Sequence, residues 1–173
     1  MKRNRVIILI ALIGIIILFF ITQTNKSPKL SLMISEEIIL DNNLGIEDQL
    51  ITIDSEKLYT NPKSETFPAV VRSDGEKPVE TEYTGIALKT LLDEFGIVVK
   101  NDNTIIFNAS DGYRIILLGE EINEPKNIYL VYKRDGELLK AKNKGGKGPY
   151  QIIIRRDPFS QRWIKHVEEI IIE

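Results

Sequence analysis

The pattern of apolar and polar positions changes twice along the chain, and each change marks a different kind of structure. Lys2, Arg3 and Arg5 precede sixteen apolar or glycine residues, Val6 to Ile21, and then polar Thr22, Gln23, Thr24, Asn25 and Lys26. A run apolar on every side is the pattern of a helix in lipid, whereas a core helix keeps a polar face. At 1.5 Å per residue it covers about 24 Å, close to the hydrocarbon thickness once flanking side chains snorkel. Bulky Phe19, Phe20 and Ile21 leave no A-x-A-like cleavage pattern, so the expectation is an uncleaved anchor. The basic residues hold the amino terminus in the cytoplasm. The expected order is a basic segment at 1–5, a transmembrane signal anchor at 6–22, a tether at 23–29 and one extracytoplasmic domain at 30–173. The chain is then a single-pass protein of a bacterial cell membrane.

Beyond the tether the apolar residues come in short runs separated by turn formers. Leu50 to Ile53, Phe67 to Val71, Thr104 to Phe107, Tyr113 to Leu118, Ile128 to Tyr132, Tyr150 to Ile154 and Val167 to Ile172 read as strands. Asp111-Gly112 and Asp135-Gly136 read as hairpin turns. One helical turn is expected over Asp54 to Leu58. The clearest helix follows Thr84, because Ala87, Leu88, Leu91, Leu92 and Phe95 share a face and Gly96 supplies a stop. Strands outnumber helices, so the expected class is α+β with a mixed sheet and few helices, preceded by one transmembrane helix.

Composition removes many chemistries. The 173 residues include no cysteine and one histidine, His166, which rules out disulfides, thiolate nucleophiles and two-histidine metal sites. Charge is unevenly placed: Thr22 to Leu139 carries 12 basic and 21 acidic residues, while Lys140 to Lys165 carries eight basic residues against Asp157 alone. The acidic remainder gives nucleic acid no electrostatic footing. The basic block reads either as a solvated face or as an anion-binding surface built on Arg155, Arg156, Arg162 and Lys165.

Local motifs add little chemistry. Asp41, Asn43, Gly45 and Glu47 miss the calcium-loop spacing, and Gly145-Gly146-Lys147-Gly148 lacks the phosphate-loop spacing and runs into Pro149. They read as a solvated turn and a lysine-rich loop. His166 reads as a structural or surface histidine at the edge of the last strand. Trp163 reads as core or groove wall, with Tyr113, Tyr132, Tyr150 and Phe159 as further candidates to line a cleft.

Several segments then combine in one order. Tyr83-Thr84-Gly85-Ile86-Ala87-Leu88 with Leu91-Leu92, Ser110-Asp111-Gly112-Tyr113, Tyr129-Leu130-Val131-Tyr132 with Asp135-Gly136-Glu137-Leu138-Leu139, Gly148-Pro149-Tyr150, and Arg162-Trp163-Ile164-Lys165-His166 resemble the molybdopterin-binding domain of sulfite oxidase-like oxidoreductases. The resemblance covers about 120 residues and implies that family's mixed-sheet fold. It also implies a molybdenum-binding cysteine near the end of the Phe67 to Val71 strand, where this chain has Val71, Arg72 and Ser73. Neither arginine nor serine replaces a soft thiolate on molybdenum. Gln151 stands where the family commonly has arginine, Lys165 matches a family lysine implied to contact the pterin or its phosphate, and His166 replaces a tryptophan.

The leading expectation is therefore a non-catalytic module without a cofactor, binding an anionic small molecule or a membrane-protein partner and attached to the membrane by its amino-terminal helix. The alternative is an oxidoreductase that binds molybdopterin without a cysteine ligand.

Overall fold

The computed structural model describes residues 29–40, 43–72 and 77–173, with side chains from residue 50 onward. The expected anchor at 6–22, the turn at 41–42 and Ser73 lie outside the described residues. Among the described residues no helix is long and apolar enough to cross a membrane.

The elements run in the order β1 (Lys29–Leu40), β2 (Asn43–Asp54), α1 (Ser55–Tyr59), β3 (Glu65–Val71), β4 (Val79–Ala87), α2 (Leu88–Glu94), β5 (Thr104–Ala109), β6 (Arg114–Leu118), α3 (Gly119–Asn123), β7 (Ile128–Arg134), β8 (Glu137–Leu138), β9 (Gln151–Ile154), β10 (Ile164–Lys165) and β11 (Val167–Ile172). They form two sheets. The first has the order β2-β1-β11-β5-β6, and the second β10-β9-β7-β4-β3 with β8 beside β7. In the first sheet β1 runs parallel to β11 while its other pairs are antiparallel, so the sheet is mixed and the α+β expectation holds.

Period-two burial explains the first sheet. In β6 the buried residues Ile115 and Leu117 alternate with exposed Arg114, Ile116 and Leu118, so one face enters the core and the other does not. Strand β7 is buried on both faces from Ile128 to Tyr132 and lies in the middle of the second sheet. One apolar cluster joins Ile53, Ile105, Phe107 and Ile170 to Ile86, Leu130 and Ile152 and to Leu88, Leu91 and Leu92 of α2. A second holds Phe67, Tyr83, Tyr129, Val131 and Ile153, and Trp163 packs against both.

The helix after Thr84 is shorter than its apolar spacing predicts. Tyr83 to Ala87 continue β4, Thr84 Oγ1 lies 2.8 Å from Thr66 Oγ1 on β3, and the helix starts at Leu88. The reason is tertiary: Gly85 lies so close to β7 that a Cβ there would meet Leu130 O at 2.2 Å. Strand pairing takes that stretch before the helix can. The stop is as expected, with Gly96 at φ +73. Asp135-Gly136 also turns as read, with φ of 51 and 81 at its two residues. The pattern did not predict the long β1–β2 pair, the short strands β8 and β10, or α3.

Candidate functional site

A cleft of about 670 Å³ opens where the end of β3, the 158–162 segment and β10 meet the 111–113 turn. Tyr83, Tyr113, Phe159 and Trp163 give it aromatic walls, and Arg72, Lys147 and Lys165 line it with positive charge. Asp111 is the one carboxylate lining it among the described residues. Its Oδ1 accepts the Tyr113 N–H at 3.1 Å, which closes the turn that presents Tyr113.

Distant parts of the chain hold the walls in place. The Arg72 guanidinium donates to Pro158 O at 2.9 Å and its backbone N–H donates to Ser160 Oγ at 3.1 Å. Ser160 Oγ in turn donates to Arg72 O at 2.6 Å. This reciprocal pair ties the end of β3 to the 158–162 segment. An arginine has five N–H donors, so the bond to Pro158 leaves donor capacity for a ligand. Trp163 Nε1 donates to Ile154 O at 3.0 Å, and its ring meets Tyr83 edge-on, with centroids 6.1 Å apart. The indole is thereby fixed as a wall.

Of the two readings of His166, structural and surface, the structure shows the structural one. It is buried, adopts φ +57 between β10 and β11, and its Nδ1 lies 2.9 Å from Gly148 O. The carbonyl can only accept, so Nδ1 carries the hydrogen. The His166 N–H donates to Lys147 O at 3.2 Å, and its carbonyl accepts from Ser110 N–H at 3.0 Å. The residue is the corner at which the chain leaves one sheet for the other. Gln151 is also buried and donates through Nε2 to Lys147 O at 3.1 Å, so a side chain and a backbone N–H beside the cleft converge on the Lys147 carbonyl.

The four cations selected from the sequence do not gather in one place. Lys165 lines the cleft. Arg155 lies over the rings of Phe67 and Tyr129, 5.0 and 5.8 Å from their centroids, and covers the second apolar cluster. Arg156 pairs with Glu124 at 2.8 Å. Arg162 donates through Nε to Asp157 at 2.8 Å, pairs with the same carboxylate through Nη2, and reaches Glu121 at 2.8 Å through Nη1. Asp157 first and then Glu121 hold its guanidinium protonated well above the ordinary value. Of the aromatic candidates, Tyr113, Phe159 and Trp163 line the cleft, whereas Tyr132 and Tyr150 are buried in the main core. Burial pushes the Tyr150 hydroxyl pKa up, and the Tyr132 hydroxyl donates to Ser64 Oγ at 2.8 Å.

Arg72 is the functional candidate that charge counting missed. It lies outside the basic block, in an acidic stretch of sequence, and only the fold brings it beside Lys147 and Lys165. The signal available was its place at the end of the Phe67 to Val71 strand, where the resemblance implies a metal ligand. Tested as a molybdenum site, the donor set does not fit. Val71 and Arg72 line the cleft there, the chain has no cysteine, and no group of three or more histidine, aspartate or glutamate side chains among the described residues could hold a metal ion.

No protein-family model matches the sequence, and a comparison with curated proteins finds no match. Among solved structures, the fold is similar to the sulfane dehydrogenase SoxCD from Paracoccus pantotrophus, with a TM-score of 0.58 and 17% identity. The likeness covers 83% of this chain but 38% of that one, so this chain spans well under half the length of the enzyme chain it matches. It establishes a distant relationship of fold, consistent with the sulfite oxidase-like architecture implied by the motifs.

Proposed function

We propose that the chain is a membrane-anchored extracytoplasmic module that binds an anionic ligand in the cleft of Arg72, Lys147 and Lys165 and performs no molybdenum chemistry. The observation that carries this reading is the composition of the cleft: cations from three separate segments converge on one aromatic-walled cavity that contains no thiolate. Guanidinium and ammonium groups suit phosphate or carboxylate oxygens, and the concave aromatic walls exclude water and strengthen such contacts. The likeness to a sulfane dehydrogenase supports the scaffold, and the apolar run from Val6 to Ile21 supports the anchor.

The alternative, a molybdopterin-dependent oxidoreductase without a cysteine ligand, draws on the same fold likeness and on Lys165 lining the cleft. One experiment separates the two. The full chain, purified from its native membrane in detergent, is titrated calorimetrically with sodium phosphate and sodium sulfate and analysed for molybdenum. Saturable anion binding without stoichiometric molybdenum supports the binding module. Stoichiometric molybdenum supports the oxidoreductase, and absence of both rejects the cleft as a site for either.

A further inference from the structure

The first sheet ends at β6, which pairs with β5 and, among the described residues, with nothing on its other side. The backbone register gives the direction of every donor on that free edge. Ala109 N–H donates to Tyr113 O and Gly119 N–H donates to Asn103 O, so the odd-numbered residues of β6 exchange their bonds with β5. In an antiparallel ladder the bonding alternates, hence Arg114, Ile116 and Leu118 direct their N–H and C=O groups away from the sheet. The position of Leu118 agrees, because its N–H is taken by the Glu121 carboxylate at 3.1 Å.

The side chains of that edge continue an apolar stripe. Ile171 pairs with Ile106 and Ile106 with Ile116, one residue from each of β11, β5 and β6. At the edge Ile116 is 56% exposed. The other edges are guarded differently. Edge strand β3 carries Pro68, which has no N–H to offer, β10 is two residues long, and β2 contains Glu47 and Asp48. β6 has no proline, no lysine and no bulge.

We infer that a second copy of this chain pairs with the first through β6, antiparallel and about a two-fold axis at Ile116. Three features select a second copy over any other extended segment. Ile116 directs both of its backbone groups outward, so it can exchange both bonds with its own mate, while Arg114 N–H reaches the Leu118 carbonyl across the axis. The apolar stripe of one copy meets that of the other at Ile116 and becomes continuous. Antiparallel pairing also brings the start of each strand against the end of the other, which sets Arg114 of one copy near Glu120 of its mate. Parallel pairing would place Arg114 against Arg114.

The cysteine-free sequence makes a direct test possible. In this geometry the Ile116 Cα atoms lie about 5.5 Å apart, within the range of about 4.4 to 6.8 Å that a disulfide needs. The Leu118 Cα atoms lie about 14 Å apart, at roughly 3.4 Å per residue over the four-residue offset. The full chain in detergent micelles is given one cysteine at a time, Ile116→Cys, Leu118→Cys or Val98→Cys, and mildly oxidised. Val98 is a control because it is 80% exposed and is not part of the strand. The expected result is covalent dimer at position 116, at least about tenfold more than at 118 or 98. Association through any other surface would cross-link 116 no faster than the other two and would overturn the inference. Ile116→Lys, on an exposed side chain, is expected to leave folding intact and shift the sedimenting species from dimer to monomer. A dimer unaffected by that change overturns the inference equally.

Discussion

The arginines of the 155–162 segment and Arg72 and Lys165 of the cleft carry the same charge, yet carboxylates and aromatic faces occupy the first group while the second pair lines an open cavity. Arg162 is held by Asp157 and Glu121, Arg156 by Glu124, and Arg155 lies over Phe67 and Tyr129. Arg72 and Lys165 pair with no carboxylate among the described residues, and both line the cleft. A dense basic run in sequence therefore does not locate an anion site. The field at a point depends on which acids the fold brings nearby, and here the neutralising Glu121 and Glu124 come from the α3 region, outside the basic block.

The largest effect tests whether folding and binding can be separated at all. Leu91 is buried in the main core on α2, so Leu91→Ala should cost about 2 to 5 kcal/mol in urea unfolding. Phosphate affinity of the remaining folded protein should be unchanged, since Leu91 does not line the cleft. A stability change near zero would mean that the helical face has been misread.

Charge reversal in the cleft comes next. Arg72→Glu combined with Lys165→Glu should weaken phosphate binding at least about tenfold, roughly 1.4 kcal/mol, with little movement of the unfolding midpoint. Arg162→Ala should do the converse. Its side chain is 45% exposed, so solvent screening limits the loss to about 1 kcal/mol of stability, while phosphate affinity stays within about twofold. Calorimetry and urea unfolding on the same variants check both. If Arg162→Ala weakens binding as strongly as the cleft reversal, the distinction between the two groups of cations fails.

The smallest effect lies under Arg155. The hydrogen bond from Tyr129, at 2.6 Å, is the main cause that lowers the Glu65 pKa below its ordinary value, and Lys126 at 3.1 Å adds to it. The same contact, together with the larger effect of burial, raises the Tyr129 hydroxyl to about 12. A lowered carboxylate pKa contributes stability that is fully present above the unfolded value and lost as pH falls through the folded one. The stability difference between the native chain and Glu65→Gln should therefore shrink as the pH is lowered through that window. A difference that stays constant from neutral to acid pH would show that the Glu65 charge contributes nothing.

Much of the strand framework could be read locally. β3, β5, β6, β7, β9 and β11 fall on the apolar runs because one or both of their faces are buried, and Gly96, Gly112 and Gly136 take the positive φ that turns require. The apolar spacing after Thr84 predicts the start of a helix. The competing strand depends on the close approach of Leu130 to Gly85, a contact between residues far apart in sequence. The candidate site was legible in part: Lys165, Trp163, Tyr113 and Phe159 line the cleft, whereas Arg72 was visible only through the motif resemblance.

By itself the sequence determined which chemistries are closed to this protein, because a chain without cysteine offers no thiolate however it folds. It also determined the strand-rich α+β class, since period-two burial and turn residues are local properties. Tertiary structure decided which charges stay available to a ligand. That outcome is set by distances between segments, Arg72 to Pro158 and Arg162 to Glu121 among them, and Coulomb energy depends on separation and surroundings that residue order does not contain.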